Sequence, residues 1–221
     1  MAIHPQVRVF VRPYGSSVPL GFLAFAVGMF MYAALDAPWV KATDGKTIGI
    51  MLIAFVAPLQ SVATVIAFLA RDTVPAVALG LFTGSWLTTG VLTVLAKPGQ
   101  LDAALGYFLI AFTIAILALA SVAWMGQPLV AFILTLSSVR GVLSAVYELG
   151  GGKGWNEAGG WLALGIFCIA IYTGLAFLFE DARGEPLLPI GRRGSSREAI
   201  EGGLEAQLKD IADEPGVRKH L

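Results

Sequence analysis

The sequence predicts an all-α integral membrane protein, built as a bundle of six transmembrane helices. The first observation behind this is composition. Of 221 residues, 57% are hydrophobic and only 14% are charged, whereas a soluble domain carries about a quarter charged residues. The mean hydropathy is +0.76. The second observation is patterning. Apolar runs, each near the ~20 residues that a helix needs to cross a bilayer, alternate with short connections that hold helix breakers. The runs are apolar on all sides, which suits helices in lipid rather than amphipathic helices on a soluble core. The ten-residue alternation of a transmembrane β-barrel is not visible.

The first run, Val18–Leu35, follows Arg8 and Arg12 as the core of a signal peptide would. It opens with Pro19, contains Gly21 and Gly28, and ends without a small-x-small cleavage site, so it reads as a retained helix. The second run, Thr47–Ala70, holds Pro58 two residues before Gln60. The proline frees a backbone carbonyl and permits a kink. Gln60 then either bonds a neighbouring helix or touches a substrate. The third, Val74–Ala96, carries Gly80-x-x-x-Gly84 as a close-packing face, with hydroxyls at Thr83, Ser85, Thr88, Thr89 and Thr93. These hydroxyls either bond their own backbone or line a narrow polar stripe. The fourth and fifth runs are Leu101–Ala123 and Pro128–Leu149, and the sixth is Gly159–Phe179.

The chain thus divides into an N-terminal arm, residues 1–17, a six-helix transmembrane domain, residues 18–180, and a C-terminal tail, residues 181–221. In the tail, Ser195 and Glu198 have capping-box spacing, and Ile200, Leu204, Leu208 and Ile211 recur at helical intervals before Pro215. A short amphipathic helix is expected there, although Gly202 and Gly203 weaken it. Arginine and lysine set the orientation. Arg8, Arg12, Arg71 and the arginines and lysines of the tail fall on one side, and Lys41, Lys46, Lys97 and Lys153 on the other. Both termini are therefore expected to be cytoplasmic, in a plasma or inner membrane.

Several function classes lose support at this stage. A net charge of zero gives no footprint for nucleic acid. The single cysteine, Cys168, allows no internal disulfide, and the two histidines, His4 and His220, lie at the extreme ends. No metal set and no cofactor is expected. Hydrolysis or group transfer needs a general base, a metal cage or an activated nucleophile. The spans offer hydroxyls, Gln60, Tyr172 and one thiol, so an enzyme is not expected.

Thr135–Ser144 holds the exception to the apolar pattern, Arg140, near the middle of the fifth run. A charged residue at the centre of a span costs about 2.5–3.5 kcal/mol on insertion scales, so it must face protein or water. No Asp, Glu or His is expected at matching depth, so the guanidinium is expected without a charged partner, solvated by water, backbone carbonyls or a passing anion. Its planar fork suits a carboxylate.

Ser17-Val18-Pro19-Leu20-Gly21 resembles the Asn-Pro-Ala-Pro-Leu-Gly-Leu signature of the acetate uptake transporter family, the succinate–acetate permeases. Gln60, Asp72-Thr73, Ser85-Trp86-Leu87, Gly160-Trp161, Ala170-Ile171-Tyr172 and Leu188-Pro189-Ile190-Gly191 resemble further family motifs in the same order. The resemblance covers about residues 17–191. It implies a six-helix protomer assembled as a homo-hexamer in the lipid bilayer. Each protomer would hold its own pathway for acetate and related small carboxylates, with coupling to protons left open. It also implies an apolar constriction whose positions fall on Phe25, Phe82 and Ser137.

The chain departs from the family pattern at four points. Ser16-Ser17 replaces Asn-Pro, where serine can still cap a helix start. Phe82 replaces a tyrosine, Ser137 replaces a leucine, and Arg140 stands where an apolar residue is expected. These changes imply a wider, wetter passage beside a fixed cation, with Arg140, Gln60, Thr83 and Tyr172 as candidate substrate contacts. Succinate or another small anion then competes with acetate as cargo. A membrane sensor or scaffold acting through its tail is the alternative reading.

Overall fold

The computed structural model describes residues 15–183, 186–194 and 197. Among the described residues, six helices are long and apolar enough to cross a membrane. They are α1 (Val18–Asp36), α2 (Ala42–Leu69), α3 (Thr73–Leu95), α4 (Ala103–Ala123), α5 (Pro128–Glu148) and α6 (Lys153–Arg183). No strand occurs among the described residues. The expected spans thus have the right number and order. The ends move where loops continue a helix, and α6 begins at Lys153 rather than Gly159. The proposed tail helix, including its Ser195–Glu198 cap, lies outside the described residues.

Local chemistry explains the irregular points. Ser17 does not cap α1; its hydroxyl donates instead to the carbonyl of Ala63 on α2, 2.8 Å away. Proline at the first turn of α1 leaves fewer N–H groups there to satisfy. In α2, residues Leu52–Val56 form a π-helical turn just before Pro58, and Ala57 N–H reaches back to the Leu52 carbonyl. Proline cannot donate into the ladder, and a single π-turn absorbs that defect.

Packing runs around the bundle as α1–α6–α5–α4–α3–α2 and back to α1. α2 lies close on α3: a Cβ on Gly49 would lie 2.7 Å from the Gly90 carbonyl oxygen. Small residues replace hydrophobic driving force in such contacts, because lipid is as apolar as the helices. The pair Gly80 and Gly84 does not act this way. Gly84 has open space where a Cβ would stand, and Gly80 faces only the Thr64 methyl. The outward surface carries exposed Val65, Tyr107, Ile114 and Leu117, as a lipid- or subunit-facing wall requires.

After α6 the chain folds back over the end of the bundle where α1 begins and α6 ends. Ile190 is buried, Tyr172 donates its hydroxyl proton to the Pro189 carbonyl at 2.9 Å, and Arg192 pairs with Glu180 at 2.6 Å.

Candidate functional site

Two cavities lie inside the bundle, one between α1, α3 and α5 and one bordered by residues of all six helices. At the end where α1 begins, a small one of about 20 Å³ is lined by Phe22 and Phe25 of α1, Ala78 and Phe82 of α3, and Ile133 and Leu134 of α5. At the opposite end, a vestibule of about 350 Å³ is bounded by Tyr32, Asp36, Thr89, Arg140, Ser144 and Asn156 among others. Helical spacing places Ser137 on the same face of α5 as Leu134 below it and Arg140 above it. The same spacing places Met29 between Phe25 and Tyr32 on α1, and Trp86 between Phe82 and Thr89 on α3.

A neck of aromatic side chains separates the cavities. Phe25 and Phe82 meet edge-on with ring centroids 4.7 Å apart. Trp86 lies 6.0 Å from Phe25 and stacks on Tyr32 at 5.2 Å. Gly28 makes room for this indole, since a Cβ there would lie 2.8 Å from it. Ser137 is buried, and its hydroxyl has no hydrogen-bond partner among the described residues.

Gln60 uses both ends of its amide inside the bundle. It donates to the Gly21 carbonyl at 3.1 Å and accepts from Trp86 Nε1 at 2.7 Å, in a fully buried position. Of the two readings open for Gln60, this geometry favours helix-to-helix bonding. Ser17, Gly21, Gln60 and Trp86, which carry much of the motif resemblance, thereby join α1, α2 and α3 at the neck. Within the signature, Val18, Pro19 and Gly21 are buried while Leu20 points outward. Thr83 is partly buried, its hydroxyl has no partner among the described residues, and it borders neither cavity. Tyr172 also borders neither; it is 36% exposed and tied to Pro189. Neither position supports substrate contact within this chain.

Arg140 requires a correction. Its Nη2 lies 2.6 Å from Asp36 Oδ2, with the two side chains 10% and 11% exposed. A charged partner therefore exists, at the last residue of α1. The first apolar run ends at Leu35, so in the sequence Asp36 reads as the start of a loop. The Arg140 guanidinium also lies over the Tyr32 ring, 4.1 Å from its centroid, a favourable cation–π position. The Tyr32 hydroxyl is hydrogen-bonded to Thr89. The Arg140 Nε is buried and unpartnered among the described residues. Tyr32 and Asp36 were missed by sequence reading. Their four-residue spacing, which puts both on one helical face, was the available signal.

The rim of the vestibule is held by polar bonds of its own. Asp102 caps α4 by accepting from Ala104 and Leu105, and Glu148 accepts from the Asp102 amide at 2.8 Å. Among the described residues, no group of His, Cys, Asp and Glu is arranged to hold a metal ion.

Six membrane-spanning helices among the described residues, packed around a cluster of aromatic side chains, define a class: an all-α integral membrane bundle. The chain belongs to the GPR1/FUN34/yaaH family, whose family model matches residues 2–184. This agrees with the resemblance carried by the sequence motifs. Among solved structures it is similar to the bacterial acetate channel SatP, with a TM-score of 0.72 at 21% identity, covering 80% of this chain and 99% of that one. That likeness shows the fold. Among curated proteins, none matches the sequence.

Proposed function

We propose that the protein moves small carboxylates, acetate first among them, across a membrane through the passage between α1, α3 and α5. The observation that carries this reading is the sequence of environments along the passage. A polar vestibule with a guanidinium at its base leads to the Phe25–Phe82 neck, and an apolar cavity lies beyond. An apolar neck rejects hydrated ions by dewetting, and conduction needs binding weak enough for release. A planar carboxylate with a short apolar tail suits both halves of such a route. SatP, a bacterial acetate channel with the same fold, supports acetate as the first cargo to test. Buried Ser137, where the resemblance implies a bulkier leucine, favours a neck wide enough for succinate or another small anion, so that charge rather than width decides whether a dicarboxylate passes.

The reading is of a transporter and not an enzyme, with both termini cytoplasmic in a plasma or inner membrane. The apolar outer wall fits a homo-hexamer, in which each protomer keeps its own passage. Protons are candidate co-substrates, entering either with the carboxylic acid or separately. The test is uptake of labelled acetate and succinate into proteoliposomes containing the full chain. Saturable uptake above protein-free vesicles is expected. Uptake equal to protein-free vesicles for every carboxylate tried would overturn the reading.

A further inference from the structure

Arg140 already holds a carboxylate, supplied by the chain itself. The Asp36 side chain is a –CH2–COO⁻ group, in effect an acetate unit tethered through its methyl carbon. It is bound through one contact, Oδ2 to Nη2 at 2.6 Å. Tyr32, one turn earlier on α1, lies against the face of the same guanidinium. Arg140 is only 8% exposed, yet its Nε has no partner among the described residues. The fork is therefore only partly used, whereas a free carboxylate approaching it side-on engages two donors at once.

We propose that Asp36 is a tethered occupant of the passage's carboxylate site, competing with substrate for Arg140 and so setting both affinity and permitted charge. This rests on the transport reading above. While the pair is closed, the base of the vestibule carries no net charge. A monocarboxylate that displaces Asp36 exchanges one anion on the guanidinium for another. Asp36 then keeps Asn156 of α6, the helix packed beside α1, as a hydrogen-bond partner. Lys46, Lys97 and Lys153 border the same cavity. A dicarboxylate brings a second negative charge next to Asp36, with Asp102 and Glu148 at the rim, and is repelled. An incoming ligand sees its affinity discounted by the fraction of time the site stands free, which keeps binding weak enough for release.

The test uses the full chain in detergent with Asp36→Ala and Asp36→Asn. Thermal unfolding is followed in sodium acetate against sodium chloride at equal ionic strength. Acetate is expected to raise the Tm of both variants progressively, while moving the wild type and the double variant Asp36→Ala/Arg140→Gln far less. In proteoliposomes, Asp36→Asn is expected to show half-saturation by acetate at about tenfold lower concentration and to become sensitive to succinate. Equal responses of the single and double variants overturn the proposal. So do single variants that acetate fails to stabilise, including any that stay unfolded with and without it. Acetate flux by the wild type together with such a failure removes Asp36 from the account and leaves transport standing. Acetate stabilisation of the variants with no wild-type flux keeps the site and removes transport.

Discussion

The Asp36 carboxylate and the Arg140 guanidinium meet at 2.6 Å, joining the end of α1 to α5 at the base of the vestibule. Removing one partner of a buried pair leaves the other charge uncompensated, at a cost of about 3–5 kcal/mol, whereas replacing both is often near neutral. Arg140→Gln alone is therefore expected to destabilise the protein more than the double variant Asp36→Asn/Arg140→Gln. Denaturation of the four proteins in mixed micelles measures this cycle. Additive effects would show that the two residues are not coupled.

The neck makes a separate prediction. Phe82 packs on Phe25, on Trp86 and, from α4, on Phe112 at 5.4 Å. Phe82→Ala is expected to cost about 3–5 kcal/mol, as large-to-small changes in packed cores do. It is also expected to raise flux of butyrate relative to acetate. An unchanged ratio in proteoliposomes would place the restriction elsewhere.

Gln60→Ala removes the acceptor for the Trp86 indole N–H. A buried donor left without a partner costs about 1–3 kcal/mol. A lower Tm with an unchanged order of carboxylate preference is expected, because the amide is committed to Gly21 and Trp86. A reordered preference in competition assays would return Gln60 to the substrate's path.

Two glycines on neighbouring helices are expected to behave oppositely. Gly49→Ala places a methyl 2.7 Å from the Gly90 carbonyl oxygen, and overpacking of this kind costs about 1–3 kcal/mol. Gly84→Ala meets no atom within 4 Å, and alanine gains up to about 1 kcal/mol of helix propensity over glycine. Thermal shifts of the two variants are expected to have opposite signs.

The bundle was legible in the sequence because bilayer thickness imposes a length on each apolar run, and all six runs satisfy it. The site was legible only in part. Arg140 stood out because its charge interrupts an apolar run. Asp36 did not, since a carboxylate at the end of a run looks like the start of a loop. Periodicity gives the face of a helix but not the neighbour opposite it, so Gly80-x-x-x-Gly84 suggested a contact that Gly49 and Gly90 make instead. Gln60 and Tyr172 were chosen as polar groups within spans. Their bonds to Trp86 and Pro189 depend on how helices and the returning segment meet, which one-dimensional patterning does not encode.

The central claim, that carboxylates travel through the vestibule that Asp36 and Arg140 border, is tested most directly by plugging that cavity. Ser144 lines it on α5, and replacing the exposed Cys168 by serine leaves Ser144→Cys as the sole thiol. Acetate flux into proteoliposomes is then measured before and after modification with a bulky thiol reagent. Flux is expected to fall to the protein-free level, and acetate to slow the modification. Complete modification with undiminished flux would contradict the account.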